Sequence, residues 1–67
     1  MSLAKNFARN VKAARTRKQM TQDAIAVKAG VSVSYISMLE RGQRSPPLDT
    51  LERIAKVLKV PATTLLR

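Results

Sequence analysis

Between Thr21 and Gly42 the chain spells two short helical segments with almost nothing between them, and this stretch limits the fold more than any other. Thr21 stands where a side-chain oxygen accepts from the free N–H groups of a first helical turn, and Ser32 holds the same place for the second segment. Gly30 lies where the chain leaves the first segment, a position that calls for positive φ, which glycine adopts without steric cost. A short Gly-bearing turn of this kind sets the second helix across the first.

The flanking sequence predicts what these two helices pack against. A first helix is expected from near Ser2 to about Lys18, with Leu3, Phe7, Val11 and Ala14 on one stripe and Lys5, Arg9, Lys12 and Thr16 opposite. That basic face is either solvated charge or a contact for phosphate. Gln19 and Met20 make the connection, and Met20 is suited to fill a gap in the core. The second helix is expected over 22–29, with Ile25 inward and Ala26 kept small by a close crossing. In the third, over 33–41, Ile36 and Leu39 face inward while Ser34, Ser37, Met38 and Arg41 face outward. After the breaker-rich loop 42–47, a fourth helix over 48–58 is expected to bury Leu48, Leu51, Ile54, Ala55 and Leu58. Asp49 with Arg53, and Glu52 with Lys56, are acid-before-base pairs worth about 0.2–0.5 kcal/mol each in an isolated helix. Val60-Pro61 breaks the chain, and 62–66 forms a last turn. The predicted fold is therefore all-α, a compact bundle of four to five short helices in a single domain over 1–67. Its core is expected to hold Phe7, Val11, Ile25, Val31, Ile36, Leu39, Leu51, Ile54 and Leu58.

Composition narrows the function classes. A chain of 67 residues buries only about 60% of its unfolded surface, which leaves no room for a deep catalytic pocket beside a core. The sequence has no Cys and no His. Disulfides, zinc-finger ligation and thiol or imidazole catalysis are excluded for this chain, and no metal or other cofactor is expected. No apolar run approaches the ~20 residues of a membrane span, and the start lacks the apolar segment of a secretion signal. Thirteen Lys and Arg against four Asp and Glu give a formal charge of +9, which points to a polyanion partner.

The elements Thr21-Gln22, Ile25-Ala26, Ala29-Gly30-Val31-Ser32, Tyr35-Ile36-Ser37, Leu39-Glu40-Arg41-Gly42 and Pro46 together resemble the phage-repressor (Cro/repressor, Xre-type) helix-turn-helix family. The similarity extends through the Leu48…Leu58 segment and covers nearly the whole chain. It implies a lambda-repressor-like domain, with the helix-turn-helix over about 21–41 and the second of its helices laid in the DNA major groove.

The resemblance also implies roles residue by residue. Gln22 matches a Gln at the entrance of the second helix, where its amide and the helix N-terminus meet phosphate. Val33, Ser34, Ser37 and Met38 match positions that face base edges, the hydroxyls as adaptable donors or acceptors and the apolar groups for a thymine methyl. Many relatives carry Gln, Arg or Lys at the Val33 or Ser34 position. This chain has no bidentate reader on the front of the third helix, so specificity is expected to rest on methyl contacts and DNA shape. Tyr35 is a partly buried spacer or a phosphate ligand through its hydroxyl, and Arg41 and Arg44 flank the helix where the DNA backbone passes. Arg15 and Glu40 match an interhelical ion pair that sets the angle of the third helix. Two departures concern helix ends: Pro47 stands where relatives place a capping Ser or Thr, and Lys59 stands where they often place Gly.

The expected function is sequence-specific double-stranded DNA binding by a cytoplasmic, nucleoid-associated transcriptional regulator of bacterial or phage type. It is expected to act as a homodimer on a palindromic operator, with no small-molecule ligand. The seam is expected at Val60, Leu65 and Leu66, unless Leu65 closes the core instead. An antitoxin-like interaction module that autoregulates through DNA is the competing class. It is disfavoured because little of the chain lies outside the helix-turn-helix core. A membrane-surface peptide and an enzyme are disfavoured by the internal apolar stripes and by the want of groups from which to build a catalytic site.

Overall fold

A computed structural model of the chain, describing residues 2–67, contains five helices among those residues: α1 (Leu3–Arg17), α2 (Gln22–Ala29), α3 (Val33–Glu40), α4 (Leu48–Leu58) and α5 (Ala62–Leu65). Three of them start on a hydroxyl cap. The side-chain oxygens of Ser2, Thr21 and Ser32 accept from the N–H groups of Lys5, Ala24 and Tyr35 at 3.1, 3.0 and 3.1 Å. Pro47 precedes α4 without such a bond. Asp49 Oδ1 takes up the Thr50 N–H at 2.9 Å instead.

The first four helices end in the same way. Gln19, Gly30, Gly42 and Lys59 each have positive φ, at 57°, 74°, 73° and 58°. In each case the next residue donates five positions back, as in Met20 N–H to Arg15 O and Val60 N–H to Ala55 O at 3.0 and 3.1 Å. This paired closure satisfies carbonyls that a helix end leaves without partners. Two of the four exits thus put a residue with a Cβ into the left-handed region.

The side chains of Phe7, Val11, Ile25, Ile36, Leu39, Ile54, Leu58 and Leu65 are fully buried. They form one cluster with Ala14, Ala26, Ala29, Leu51 and Ala55, and Met20, Val31, Tyr35, Val57, Val60 and Ala62 pack against it. α3 lies across α1 and α2, α2 also meets α4, and α5 closes against α1 and α4. Asn10 fastens that closure, its Nδ2 donating to the carbonyls of Leu65 and Arg67 at 3.1 and 3.0 Å. The radius of gyration, 10.2 Å, is close to the ~11 Å of a compact chain this long.

Several expectations need correction. Leu3 and Leu48 are 66% and 70% exposed. Each is the first residue of its helix, where the Cα–Cβ bond tilts toward the N-terminus, so the side chain overhangs the end of the core. Val31 is half-buried at the margin. Neither acid–base pair on α4 closes: Arg53 Nη2 donates to Thr50 Oγ1 at 3.3 Å, and Asp49 is turned to the backbone. Exposed pairs gain too little in water to fix two long side chains.

Of the two places expected for Leu65, the structure has it in the core. It is fully buried in the chain's own core, because the α5 turn folds back between α1 and α4 instead of extending outward. Leu66, next to it, is 38% exposed.

Candidate nucleic-acid interface

α2 and α3 present a shallow groove of about 420 Å³ lined by Gln22, Val33, Ser34, Ser37, Met38 and Arg41. Sequence reasoning places these six on the interface from two separate helices, and the fold brings them onto one surface. Tyr35 and Arg44 do not line it. Tyr35 is half-buried against the core, and Arg44 is exposed on the loop after α3.

The crossing of α2 and α3 is held from beneath by a charged cluster. Arg15 Nε and Nη2 donate to Glu40 Oε2 and Oε1 at 2.7 and 3.1 Å, a two-pronged contact from α1 to the last residue of α3. Arg15 Nη1 also donates to the Met20 carbonyl at 2.9 Å, fixing the turn into α2. The Glu40 side chain is only 4% exposed. Its hydrogen bond and charge hold the Arg15 guanidinium above its ordinary value, against the opposing effect of burial. The Arg15 guanidinium therefore stays charged at any ordinary pH. Arg15 with Glu40 is the one ion pair among the described residues.

Gln22 completes the cluster. Its Nε2 donates to Glu40 Oε1 at 3.1 Å, a link that sequence reasoning misses. An amide nitrogen has two donors, so one remains available while the other fixes the side chain.

Arg41 also differs from its expected setting. Its Nη1 donates to Ser37 Oγ at 2.8 Å and its Nε to Gln43 Oε1 at 3.3 Å. The guanidinium thus folds back along α3 instead of reaching away from the helix end. The i,i+4 spacing of Ser37 and Arg41 is legible in the sequence; the part played by Gln43 is not, because its side chain returns from beyond the Gly42 turn.

Gly42 shapes this margin. A Cβ there would sit 3.4 Å from Lys5 Cγ and 3.7 Å from Lys5 Cα, at a φ of +73°. Those are ordinary contact distances, so it is the positive φ that calls for glycine where α1 lies against the exit of α3. Every Lys and Arg except Arg15 is exposed, so nearly all of the chain's positive charge lies on its surface, with Arg41 at the groove itself. No helix among the described residues is long and apolar enough to cross a membrane, and these residues bring together no group of three or more His, Cys, Asp or Glu.

Comparison with known proteins gives this groove its context. The helix-turn-helix family model HTH_3 matches residues 11–65. An uncharacterized HTH-type transcriptional regulator, y4dJ of Sinorhizobium fredii, is 42% identical over 55 residues, covering 82% of this chain and 66% of that protein. The immunity repressor protein of Bacillus phage phi105 is 36% identical over 55 residues, covering 82% of this chain and 38% of the repressor. The chain thus spans two thirds or less of the length of these two relatives. Among solved structures, the restriction-modification controller protein C.AhdI from Aeromonas hydrophila superposes with a TM-score of 0.88 at 29% identity, covering 92% of this chain and 94% of the controller. The phage-repressor resemblance of the motif residues extends through this match, and the chain belongs to the HTH_3 helix-turn-helix family.

Proposed function

We propose that the chain is a sequence-specific double-stranded DNA-binding transcriptional regulator that lays α3 in the major groove. The carrying observation is the single groove formed by Gln22, Val33, Ser34, Ser37, Met38 and Arg41 on a chain whose cations, Arg15 apart, are all exposed. Val33, Ser34, Ser37 and Met38 face base edges, while Gln22, Tyr35 and Arg44 meet phosphates. The relatives' names, transcriptional regulator and immunity repressor, support the same reading. So does the absence of His and Cys from the sequence, together with the capture of Glu40 by Arg15 and Gln22, which favours a non-enzymatic role. A duplex-DNA partner implies a cytoplasmic, nucleoid-associated location.

The working unit in this reading is a homodimer on a palindromic operator. The molecule measures 28 × 22 × 21 Å, less than the ~34 Å between successive major grooves on one face of DNA. One copy therefore reads one half-site. With Leu65 internal, Val60 and Leu66 remain as apolar groups for the seam. Val60 borders a groove with Glu52, Ala55, Lys56 and Ala62, and Leu66 borders another with Leu3, Phe7 and Pro46.

Selection of duplexes from a randomised library tests this. Enrichment of a two-fold symmetric sequence with half-sites about 10 base pairs apart is the expected result. Recovery of unselected DNA, with no retention above background, would contradict it.

A further inference from the structure

From the geometry of Arg41 we infer that this residue reads guanine in the major groove, with Ser37 as its positioning residue. The inference rests on the reading of α3 as the major-groove helix. Arg41 caps the C-terminal end of α3, a place from which a long cation commonly reaches outward to phosphate. Here it does the opposite. The contact to Ser37 Oγ at 2.8 Å carries the guanidinium one turn back, about 6 Å along the helix axis. That brings it beside the side chains that line the groove with it, Val33, Ser34 and Met38 among them.

The donor count leaves a fork available. A guanidinium has five N–H donors, of which Ser37 takes one and Gln43 another. Both hydrogens of Nη2 and one of Nη1 remain, enough for two parallel bonds to acceptors such as O6 and N7 of guanine. Adenine offers a donor beside N7 and so cannot accept both bonds. The two anchoring contacts also restrain a side chain that otherwise loses much rotamer freedom on binding. The rest of the front of α3 has only hydroxyls, a valine and a thioether, so Arg41 supplies the bidentate reader that those side chains cannot.

The test uses the full chain and the duplex it selects from a randomised library. Each selected guanine is replaced in turn by 7-deazaguanine, which lacks the N7 acceptor, and wild type, Arg41→Ala and Ser37→Ala are titrated on both duplexes. At one guanine per half-site, wild type should lose roughly fivefold or more in affinity, while Arg41→Ala loses nothing further from the same base change. Ser37→Ala, its charge intact, should show a reduced loss. Equal sensitivity of wild type and Arg41→Ala at every guanine overturns the assignment, as does a selected site without an invariant guanine; either leaves DNA binding itself standing. An undiminished loss in Ser37→Ala overturns the positioning role of Ser37. Failure of wild type to bind any duplex overturns the functional reading, and this assignment with it.

Discussion

Glu40 accepts three hydrogen bonds, two from Arg15 and one from Gln22, in a setting nearly closed to water. Removing the carboxylate leaves the guanidinium without its counter-charge, so Glu40→Ala should cost about 3 kcal/mol, the low end for a broken buried pair. Replacing both partners, as in Arg15→Met with Glu40→Leu, should cost far less, because no charge is then stranded. Chemical denaturation of the two variants checks the contrast. The two glycines with positive φ should behave alike. A Cβ at Gly30 would stand in open space, and one at Gly42 would make only ordinary van der Waals contact with Lys5. Gly30→Ala and Gly42→Ala should therefore each cost about 1 kcal/mol for left-handed backbone, read as similar thermal shifts. A much larger loss at Gly42 would contradict this.

At the scale of elements, stability is governed by how each helix starts, ends and turns its apolar stripe. Leu39, fully buried on α3, should cost about 2–5 kcal/mol on truncation to Ala. Lys59 holds a left-handed exit with a Cβ, so Lys59→Gly should raise stability by up to about 1 kcal/mol, read as a higher denaturation midpoint. These elements are legible in the sequence because their signals are local: Thr21, Ser32 and Gly30 each act within one turn, and both boundaries of α2 and the start of α3 follow. Gln19 is not legible as a left-handed exit, since nothing about a glutamine announces positive φ. Leu3 and Leu48 fit the apolar periodicity yet lie outside the core, because periodicity gives direction around a helix and not the distance to the next layer. The outward face of α3 reads correctly as a face. What Arg41 does on it depends on Ser37 and Gln43 together, a three-residue arrangement that no spacing rule supplies.

For the whole molecule, the core is complete within one chain, and the proposed DNA interface calls for two. α5 is consumed in closing the bundle through Leu65 and Asn10, leaving Val60 and Leu66 at its margins. Sedimentation on a palindromic duplex should show two chains per duplex at saturation, reduced by Leu66→Lys or Val60→Lys. One chain per duplex, unaffected by both, would refute the dimer. Binding of duplex DNA through phosphates around α3 is the proposed function, and a salt titration tests it most directly. With ~6–10 phosphate contacts per dimer, affinity should fall about 10³–10⁵-fold between about 50 and 200 mM salt. Arg44→Ala should flatten that slope by about one contact per chain. An affinity that does not change with salt would contradict the account.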